Sequence, residues 1–487
     1  MVVNSLNFFL FFVIVFLVYY FLLKDNGKMQ NRWLLLCSYV FYGIAAWKMI
    51  PLLLIATILF YIIGIGIGKY NRINEKKASW LTTVGTLLGI GLLLYFKYLN
   101  FFIESFSSFF NAIGFSVNFP TFDILMPLGI SFFTFKLISY IIEVHRERME
   151  PCTDFVSFSL YVSFFPTILA GPIDRPQAFL VQLKHKREFD YTLAVEGCRQ
   201  IIWGMFKKML IADNIALFVN TIWSDIPNAN TLTLIMAALL FPIQIYADFS
   251  GYSDMAIGTG KLLGIRIARN FNVPFFARNI AEYWRNWHIS LTSWLTDYVF
   301  MPLNIYFRNM GNYGSISAII ITFILIGLWH GANSTFAVFG LYHGVLYIPL
   351  IFSGVFLKKK KLIANPYGLP YLNDLLKMFL TFLLVVIGLL IFKAENIDQL
   401  QEYVSALFTN TDINSGRINH VTKYVYVFIV LMFCLEWKYR AQEFPFQKMK
   451  NGRLFGLSFC RFFFYFLMIL LIIFFQGDNT GFIYSRF

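Results

Sequence analysis

Residues 316–350 read ISAIIITFILIGLWHGANSTFAVFGLYHGVLYIPL, an apolar stretch longer than the roughly 20 residues that one membrane-crossing helix needs. Its middle holds four polar residues beside two glycines: His330, Asn333, Ser334 and Thr335, with Gly327 and Gly331. We expect these polar groups deep in the membrane, because they lie far from both ends of the stretch. Such groups are costly there and usually face a cavity and carry function. The glycines permit a helix break or a close approach of two backbones.

His330 is therefore the first candidate for a membrane-embedded functional site. The structural alternative is a buried histidine that forms a hydrogen bond with a neighbouring helix. A structural histidine needs only one or two partners, whereas the adjacent Asn333, Ser334 and Thr335 offer more polar atoms than that. This surplus favours a site.

The composition of the chain is that of an integral membrane protein. Its 487 residues are 58% hydrophobic and only 14% charged, whereas soluble domains carry about 25% charged residues. A soluble fold of this size could not bury so much apolar surface. The net charge of +14 fits basic cytoplasmic loops, and no nucleic-acid partner is expected without a binding motif. The five cysteines form no C-x-x-C motif, so we expect thiols that face lipid or the core.

Apolar stretches predict about ten to twelve membrane crossings within a single domain. The clear stretches lie near residues 6–23, 33–47, 50–68, 80–97, 124–142, 372–392 and 456–475. Shorter or interrupted stretches lie near residues 201–223, 231–247, 315–330, 335–356 and 423–437.

Basic loops set the predicted orientation. Lys and Arg cluster in residues 24–32, 69–77 and 146–148, which follow the first, third and fifth clear stretches. By parity these loops share one side, and their positive charge makes that side cytoplasmic. Basic residues in 358–361 and 438–453 fit the same side. Both termini are therefore predicted to be extracytoplasmic.

Three segments are predicted to enter the protein without a regular crossing. Residues 155–171 are apolar but have basic loops on both sides, which a re-entrant segment broken at Pro166 and Gly171 explains. Irregular backbone at membrane depth needs protein or a water-filled cavity around it, so a cavity is expected nearby. Residues 250–270 repeat the pattern, with glycine breaks. Residues 278–303 are amphipathic and should lie at the cytoplasmic interface or wedge into the bundle.

The other histidines are less informative than His330. His288 lies in EYWRNWHIS and is either a solvated histidine of an interfacial aromatic belt or a polar wall of the same cavity. His343 would lie about 20 Å from His330 along an unbroken helix, which favours a packing or lipid-interface role. No metal site is predicted, because no Cys or carboxylate stands at ligand spacing. Three histidines lie in polar loops and are predicted to be solvated: His145, His185 and His420.

Several long motifs follow one another along the chain. They are MPLGISFFTFKLISYIIEV (126–144), GPIDRPQAF (171–179), QIYADFSGYSDMAIGTGKLLGI (244–265), NFNVPFFARNIAEYWRNWHISLTSWLTDYVFMPL (270–303), GLWHGANSTFAVFGLYHG (327–344), IFKAENIDQL (391–400) and FIYSRF (482–487). Together they closely resemble the membrane-bound O-acyltransferase superfamily, in its bacterial branch of alginate O-acetyltransferase membrane subunits. The resemblance covers roughly residues 35–487 in the same order.

The resemblance implies the site residues. The family's membrane-embedded catalytic histidine falls on His330, and its second characteristic histidine falls on His288. Arg285, Trp329 and Asn333 lie inside the two histidine-bearing motifs and are expected to contact substrate. The motif Q-x-Y-x-D-F-S-G-Y-S-D adds further candidates for substrate binding: Gln244, Tyr246, Asp248, Ser250, Tyr252 and Asp254.

The resemblance also implies the fold and the location. The expected fold is an all-α integral membrane protein, in which a ring of about ten to twelve tilted helices, with re-entrant and interfacial helices, surrounds a central catalytic tunnel. One polytopic domain would cover residues 1–487, with N-terminal helices in 1–120, a motif-bearing core in 121–350 and C-terminal helices in 351–487. The expected location is the bacterial cytoplasmic membrane.

The implied chemistry is O-acyl transfer without a bound cofactor. An acyl thioester, from acetyl-CoA or an acyl carrier protein, would enter from the cytoplasm. A glycan hydroxyl would approach from outside, with a hydrolase-like acyltransferase partner of the SGNH type. His330 would act as general base, and Asn333, Trp329 or a backbone amide would stabilise the oxyanion. His288 would orient the donor, relay a proton or hold an acyl group.

Two rival functions fit parts of the pattern. A transporter or flippase without chemistry explains the broken helices and the deep polar residues. It gives no reason for two positioned histidines with few intramembrane carboxylates. A haem-bearing electron carrier, with two histidine ligands, is the other alternative.

Overall fold

The computed structural model of the chain describes residues 4–115, 119–356, 364–411, 423–448, 458–478 and 481. Regular structure in these ranges is helical, apart from an isolated antiparallel bridge between Ala364 and Pro370. The prediction of an all-α protein is confirmed for this part of the chain. His420 and the motif at 482–487 lie outside the described residues, as do residues 358–361 and 449–453 with their basic side chains.

The chain forms two compact units that interleave in sequence. The first consists of Met1–Gly197 and Ala256–Ala268, and the second consists of Cys198–Met255 and Arg269–Phe487. These boundaries differ from the expected subdivisions at residues 120 and 350. The single polytopic domain stays a prediction.

The first unit contains eight helices among its described residues. They are α1 (Leu6–Leu17), α2 (Gly27–Ala46), α3 (Ile50–Asn71), α4 (Glu75–Leu93), α5 (Leu99–Ala112), α6 (Ile130–His145), α7 (Phe155–Ser163) and α8 (Pro176–Leu180). Asparagine side chains begin two of them: Asn26 accepts a hydrogen bond from the Met29 N–H before α2, and Asn74 accepts one from the Lys77 N–H before α4. Such caps satisfy amide groups that have no partner inside the helix.

The helices that follow include those of the second unit. They are α9 (Tyr191–Met205), α10 (Asp213–Ser224), α11 (Thr231–Leu262), α12 (Ile280–Asn286), α13 (Ile289–Leu295), α14 (Met301–Tyr306), α15 (Asn312–His330), α16 (Ser334–Leu346), α17 (Ile348–Phe352), α18 (Leu372–Lys393), α19 (Ile397–Thr409), α20 (Lys423–Lys438) and α21 (Ser458–Phe475). Helices α9 and α11 carry residues of both units, and the others belong to the second unit. A π-helical segment, Phe206–Ala212, joins α9 to α10.

Six helical stretches among the described residues are long and apolar enough to cross a membrane. They are Gly27–Asn71, Glu75–Ala112, Thr231–Leu262, Asn312–His330, Ser334–Phe352 and Leu372–Lys393. The predicted stretches 33–47 and 50–68 fall together in the first of these. Two shorter apolar helices, Leu6–Leu22 and Phe459–Phe475, match predicted stretches as well. The chain is thus a multi-pass membrane protein, whereas the number of ten to twelve crossings stays a prediction.

The segment predicted to be re-entrant is broken where the sequence indicates. Helix α7 has nine residues and ends at Ser163, before Pro166, and turns follow as far as Ala170. At about 1.5 Å per residue, α7 is too short to cross a membrane. Residues 278–303 form several short helices, and their three tryptophans, Trp284, Trp287 and Trp294, are buried in the protein. They therefore wedge into the protein.

Two predicted boundaries were wrong. Residues 250–262 are not broken at their glycines but continue α11, which has 32 residues and contains Pro242. The glycine at 251 serves close packing instead, because a Cβ there would lie 2.7 Å from the carbonyl oxygen of Gly204 on α9. The stretch 124–142 begins too early, since α6 starts at Ile130, after Gly129 in a left-handed conformation (φ 71°).

Helices α15 and α16 form a tight antiparallel hairpin. A Cβ at Gly327 would lie 1.9 Å from the carbonyl oxygen of Phe336, and a Cβ at Gly340 would lie 2.2 Å from that of Phe323. Small residues let the two backbones touch, as is common between membrane helices. The long apolar stretch is therefore two helices, and the polar group around His330 lies at the connection between them. The two apolar stretches predicted at 315–330 and 335–356 thus correspond to two helices, and the chain reverses between them at residues 331–333. The predicted depth of His330 in the membrane stays a prediction.

Candidate active site

A small cavity in the second unit has a mostly aromatic wall that includes two imidazoles. Its side chains come from α11, α12, α15, α16 and α18 and the residue after α12: Ile245, Tyr283, Trp284, Trp287, His330, Phe339, His343, Leu389 and Phe392. Ligand pockets are typically apolar with a few placed polar groups. The sequence predicts that His330 faces a cavity, and its side chain lines this one.

His330 is the last residue of α15 and is 5% exposed. Its ring packs edge-on against Phe392 at a centroid distance of 4.9 Å and against Trp329 at 4.7 Å. Phe339 lies on a further side, at 6.2 Å. The turn after α15 and the hairpin with α16 together point His330 into the cavity wall.

The connection after His330 is held by Asn333 and Thr335. The Asn333 carboxamide oxygen accepts a hydrogen bond from the Thr335 N–H and begins α16, while its Nδ2 donates to the carbonyl oxygen of Glu395. The Thr335 hydroxyl donates to the carbonyl oxygen of Ala394 at 3.1 Å. Asn333 therefore fixes the connection against the end of α18, and this structural task competes with the expected oxyanion role.

His343 lines the same cavity as His330, which the sequence did not predict. The hairpin brings the two histidines together, so the separation of about 20 Å along an unbroken helix was wrong. Its Nδ1 accepts a hydrogen bond from the Trp284 indole at 3.2 Å, and its side chain is fully buried. His343 therefore lies inside the protein and not at a lipid interface.

His288 connects α12 to α13 and has a left-handed backbone (φ 45°). It is 1% exposed, so it is not a solvated belt residue. Burial lowers its pKa from 6.5 to about 3, because the surroundings disfavour the charged imidazolium. His288 is not among the side chains that line the cavity. The Trp329 indole packs against the ring of His288, at a centroid distance of 5.7 Å, and also against the ring of His330.

The acidic residues of the α11 motif pair with buried lysines. Lys207 contacts Asp254 at 2.6 Å and donates to the Ser250 hydroxyl at 2.8 Å. Lys208 contacts Asp248 at 2.6 Å and Asp213 at 2.8 Å. The residue that α11 contributes to the cavity wall is Ile245.

The remaining predicted residues are packed in the same unit. The Tyr246 hydroxyl donates to Glu436 at 2.8 Å, and its ring packs against Phe275. Gln244 and Tyr252 are buried, and the half-buried Arg285 donates to the carbonyl oxygen of Phe356 at 3.0 Å. The structure thus brings His330, His343 and three aromatic residues of 283–287 around one cavity. Four residues of the α11 motif instead form polar contacts with Glu436, Lys207 or Lys208: Tyr246, Asp248, Ser250 and Asp254.

Comparison with known proteins identifies the family. The profile of the MBOAT, membrane-bound O-acyltransferase family, matches residues 152–392. A protein of Pseudomonas aeruginosa named probable alginate O-acetylase is 38% identical over 414 residues, which cover 84% of this chain and 75% of that protein. The chain belongs to the membrane-bound O-acyltransferase family.

Two other relatives of this acyltransferase carry different names. The peptidoglycan O-acetyltransferase of Helicobacter pylori is 34% identical over 67% of this chain and 66% of its own length. The teichoic acid D-alanyltransferase of Bacillus subtilis is 31% identical over 57% of this chain and 71% of its own length. The chain is accordingly an O-acyltransferase enzyme of the alginate O-acetylase-like bacterial branch. The transporter without chemistry is thereby excluded.

Some buried charged residues of the acyltransferase lie inside apolar stretches of its sequence, although they were not predicted as site residues. Lys207 and Lys208 are adjacent charges inside the apolar stretch 201–223, and Glu436 is a carboxylate inside 423–437. Charged residues in such places usually have partners inside the protein. Asn270, which contacts His288, carried no signal of its own. Among the described residues, no group of three His, Cys, Asp or Glu side chains is arranged to hold a metal ion.

Proposed function

We propose that this enzyme moves an acetyl group from a cytoplasmic thioester, acetyl-CoA or an acyl carrier protein, to hydroxyl groups of an extracytoplasmic polysaccharide. The observation that carries the proposal is the place of His330, whose imidazole forms part of the wall of an aromatic cavity. A buried imidazole beside a space for reacting atoms suits general-base chemistry on a hydroxyl. The predicted catalytic histidine and the cavity therefore coincide.

The character of the cavity wall favours acetyl over a charged acyl group. No Asp or Glu is among the side chains that line it, so the ammonium group of a D-alanyl ester would have no carboxylate partner there. Burial of an unpaired charge is costly. The alginate and peptidoglycan relatives are named for O-acetylation, and they resemble this chain over more of its length than the D-alanyl relative does.

In the proposed mechanism, His330 accepts the proton of the acceptor hydroxyl while the hydroxyl oxygen attacks the thioester carbonyl carbon. The tetrahedral oxyanion needs a hydrogen-bond donor, and the Trp329 indole N–H or a backbone amide beside His330 serves as that donor. Collapse of this intermediate forms the ester and breaks the carbon–sulfur bond. The thiolate then takes the proton from His330, which restores the neutral imidazole.

The setting of the reaction follows from the sequence. The enzyme lies in the bacterial cytoplasmic membrane, with both termini extracytoplasmic and the basic loops in the cytoplasm. It needs no bound cofactor, because the thioester is a substrate. An extracytoplasmic SGNH hydrolase-like partner completes delivery to the glycan.

The test is acetyl transfer by the purified enzyme with radiolabelled acetyl-CoA as donor and a polysaccharide extract, supplied together with the extracytoplasmic partner fraction, as acceptor. His330→Ala should reduce transfer by about 10²-fold or more, which is the usual contribution of general acid–base catalysis. His185→Ala is the matched control, because His185 is exposed. Transfer by His330→Ala at the rate of the control would overturn the role of His330. No transfer by the wild type with acetyl-CoA or with an acetylated carrier protein would overturn the acetyl donor.

A further inference from the structure

Asn270 holds His288 through three neighbouring contacts. Its Oδ1 lies 2.9 Å from Nδ1 of His288 and accepts a hydrogen bond of 2.9 Å from the Ser290 hydroxyl. The Asn270 backbone carbonyl accepts one from the Ile289 N–H at 2.8 Å. Asn270 and His288 are each almost fully buried, so water does not replace these contacts.

The direction of the Asn270 amide follows from its neighbours. The backbone N–H of Ser290 faces Oδ1 at 3.4 Å, and a backbone N–H can only donate. On the other side, Nδ2 donates to the Ser253 hydroxyl on α11 at 3.2 Å. The atom that faces His288 is therefore the oxygen, which can only accept.

The direction of the amide determines the proton on the imidazole. Because Oδ1 accepts, Nδ1 of His288 must carry the hydrogen and donate it. Burial keeps the ring neutral, and a neutral imidazole has one N–H and one lone pair. The lone pair therefore lies on Nε2.

We propose that Asn270 is a positioning residue that locks His288 in the tautomer with the proton on Nδ1 and the accepting lone pair on Nε2. In this state Nε2 of His288 can accept a hydrogen bond or a proton, and it cannot donate one in the resting enzyme. Of the roles that the sequence left open, relay of a proton and attachment of an acyl group both use this lone pair on Nε2. The use of Nε2 in catalysis rests on the proposed function, whereas the tautomer itself does not.

The backbone at His288 is also held in a fixed conformation. A left-handed conformation is unfavourable for a histidine and persists only where the surroundings enforce it. Two backbone hydrogen bonds enforce it: the one from Ile289 to Asn270, and one of 3.0 Å from the Asn272 N–H to the carbonyl of Asn286. The Asn272 side chain donates to the Asn286 side chain at 3.2 Å and does not hold the imidazole. Asn272 is thus a matched control for Asn270.

The experiment reads the tautomer directly. The purified full-length enzyme is labelled with ¹⁵N-histidine, and correlation spectra between ring nitrogens and ring protons show which nitrogen carries hydrogen. His288→Gln assigns the signal. We expect Nδ1–H at His288 in the wild type. The same state is expected in Asn270→Asp, because Asp keeps an acceptor oxygen, and in Asn272→Leu, because the Asn272 side chain does not hold the imidazole. Asn270→Leu should lose this single state.

Acyl transfer by the same variants gives the second readout. Asn270→Leu should lower the rate by about 10²-fold, the scale of general acid–base catalysis, while Asn270→Asp restores most of it. A wild type with Nε2–H at His288, or an Asn270→Leu variant with an unchanged tautomer, would overturn the proposal. If the wild type shows Nδ1–H but transfers no acyl group, the proposed function fails and the tautomer lock stands. If Asn270→Leu does not fold, the wild-type spectrum alone decides.

Discussion

Two kinds of buried polar residue occur in the second unit: histidines packed against aromatic rings, and lysines paired with carboxylates. The motif carboxylates Asp248 and Asp254 are neutralised by Lys208 and Lys207. The two lysines are adjacent in the π-helical segment Phe206–Ala212, and each reaches a different carboxylate on α11. These pairs tie α11 to the segment that joins α9 to α10, and the substrate-binding role of the motif carboxylates stays a prediction.

Loss of one buried charge should therefore be costly. In Lys208→Met, two buried carboxylates lose their shared partner, since Lys208 contacts both Asp213 and Asp248. Removal of one member of a buried pair typically costs about 3–5 kcal/mol. We expect a clear drop in the unfolding midpoint of the purified protein in detergent.

The control for Lys208→Met removes one positive charge at the surface. Arg72 pairs with Glu150, and their side chains are 73% and 79% exposed. Exposed pairs contribute about 0–1 kcal/mol, so Arg72→Gln should shift the midpoint little. Equal shifts for the two variants would show that the buried lysine is not needed for stability.

A site residue could be predicted from the sequence where one local feature was enough to mark it. His330 stood out because a polar group interrupts an apolar stretch, and in the structure its side chain lines the cavity. The partners were not predictable: Lys208 and Asp248 lie far apart in the chain, and Asn270 has no local feature that links it to His288. Such pairings depend on helix packing, which one sequence does not specify.

Among the elements, the hairpin of α15 and α16 supplies both imidazoles of the cavity wall. It places His330, Phe339 and His343 on one wall, although they come from two helices. The two helices touch at Gly327 and Gly340, where backbone atoms of the partner helix leave no room for a side chain.

Addition of one methyl group at Gly327 tests the close packing of α15 against α16. In Gly327→Ala, the new Cβ would lie 1.9 Å from the carbonyl oxygen of Phe336, and that backbone atom cannot move aside without separating the helices. We expect lower thermal stability and loss of acyl transfer. Gly91→Ala, on α4, is the control, because nothing lies within 4 Å of its Cβ position. It should retain activity, and equal behaviour of both variants would contradict the close packing.

Helices were predictable from apolar stretches, but their ends were not. The glycines in residues 250–262 predicted a break, yet α11 continues through them because Gly251 packs against Gly204. A glycine therefore indicates either a break or a helix contact, and the choice depends on what lies opposite. Pro166, by contrast, follows the end of α7, where its ring excludes a continued helix.

At the scale of the whole molecule, family membership and the structure agree on a multi-pass enzyme. All predicted site residues fall within residues 152–392, which the family profile matches. The central claim is that His330 serves acetyl transfer from one side of the membrane to the other.

The most direct test uses proteoliposomes in which the enzyme has a known orientation. Radiolabelled acetyl donor is supplied only on the side of the basic loops, and polysaccharide acceptor with its partner fraction only on the other. We predict label on the acceptor for the wild type and at most about one hundredth of it for His330→Ala. Equal labelling by both proteins would contradict the role of His330, and labelling only when donor and acceptor share one side would contradict transfer across the membrane.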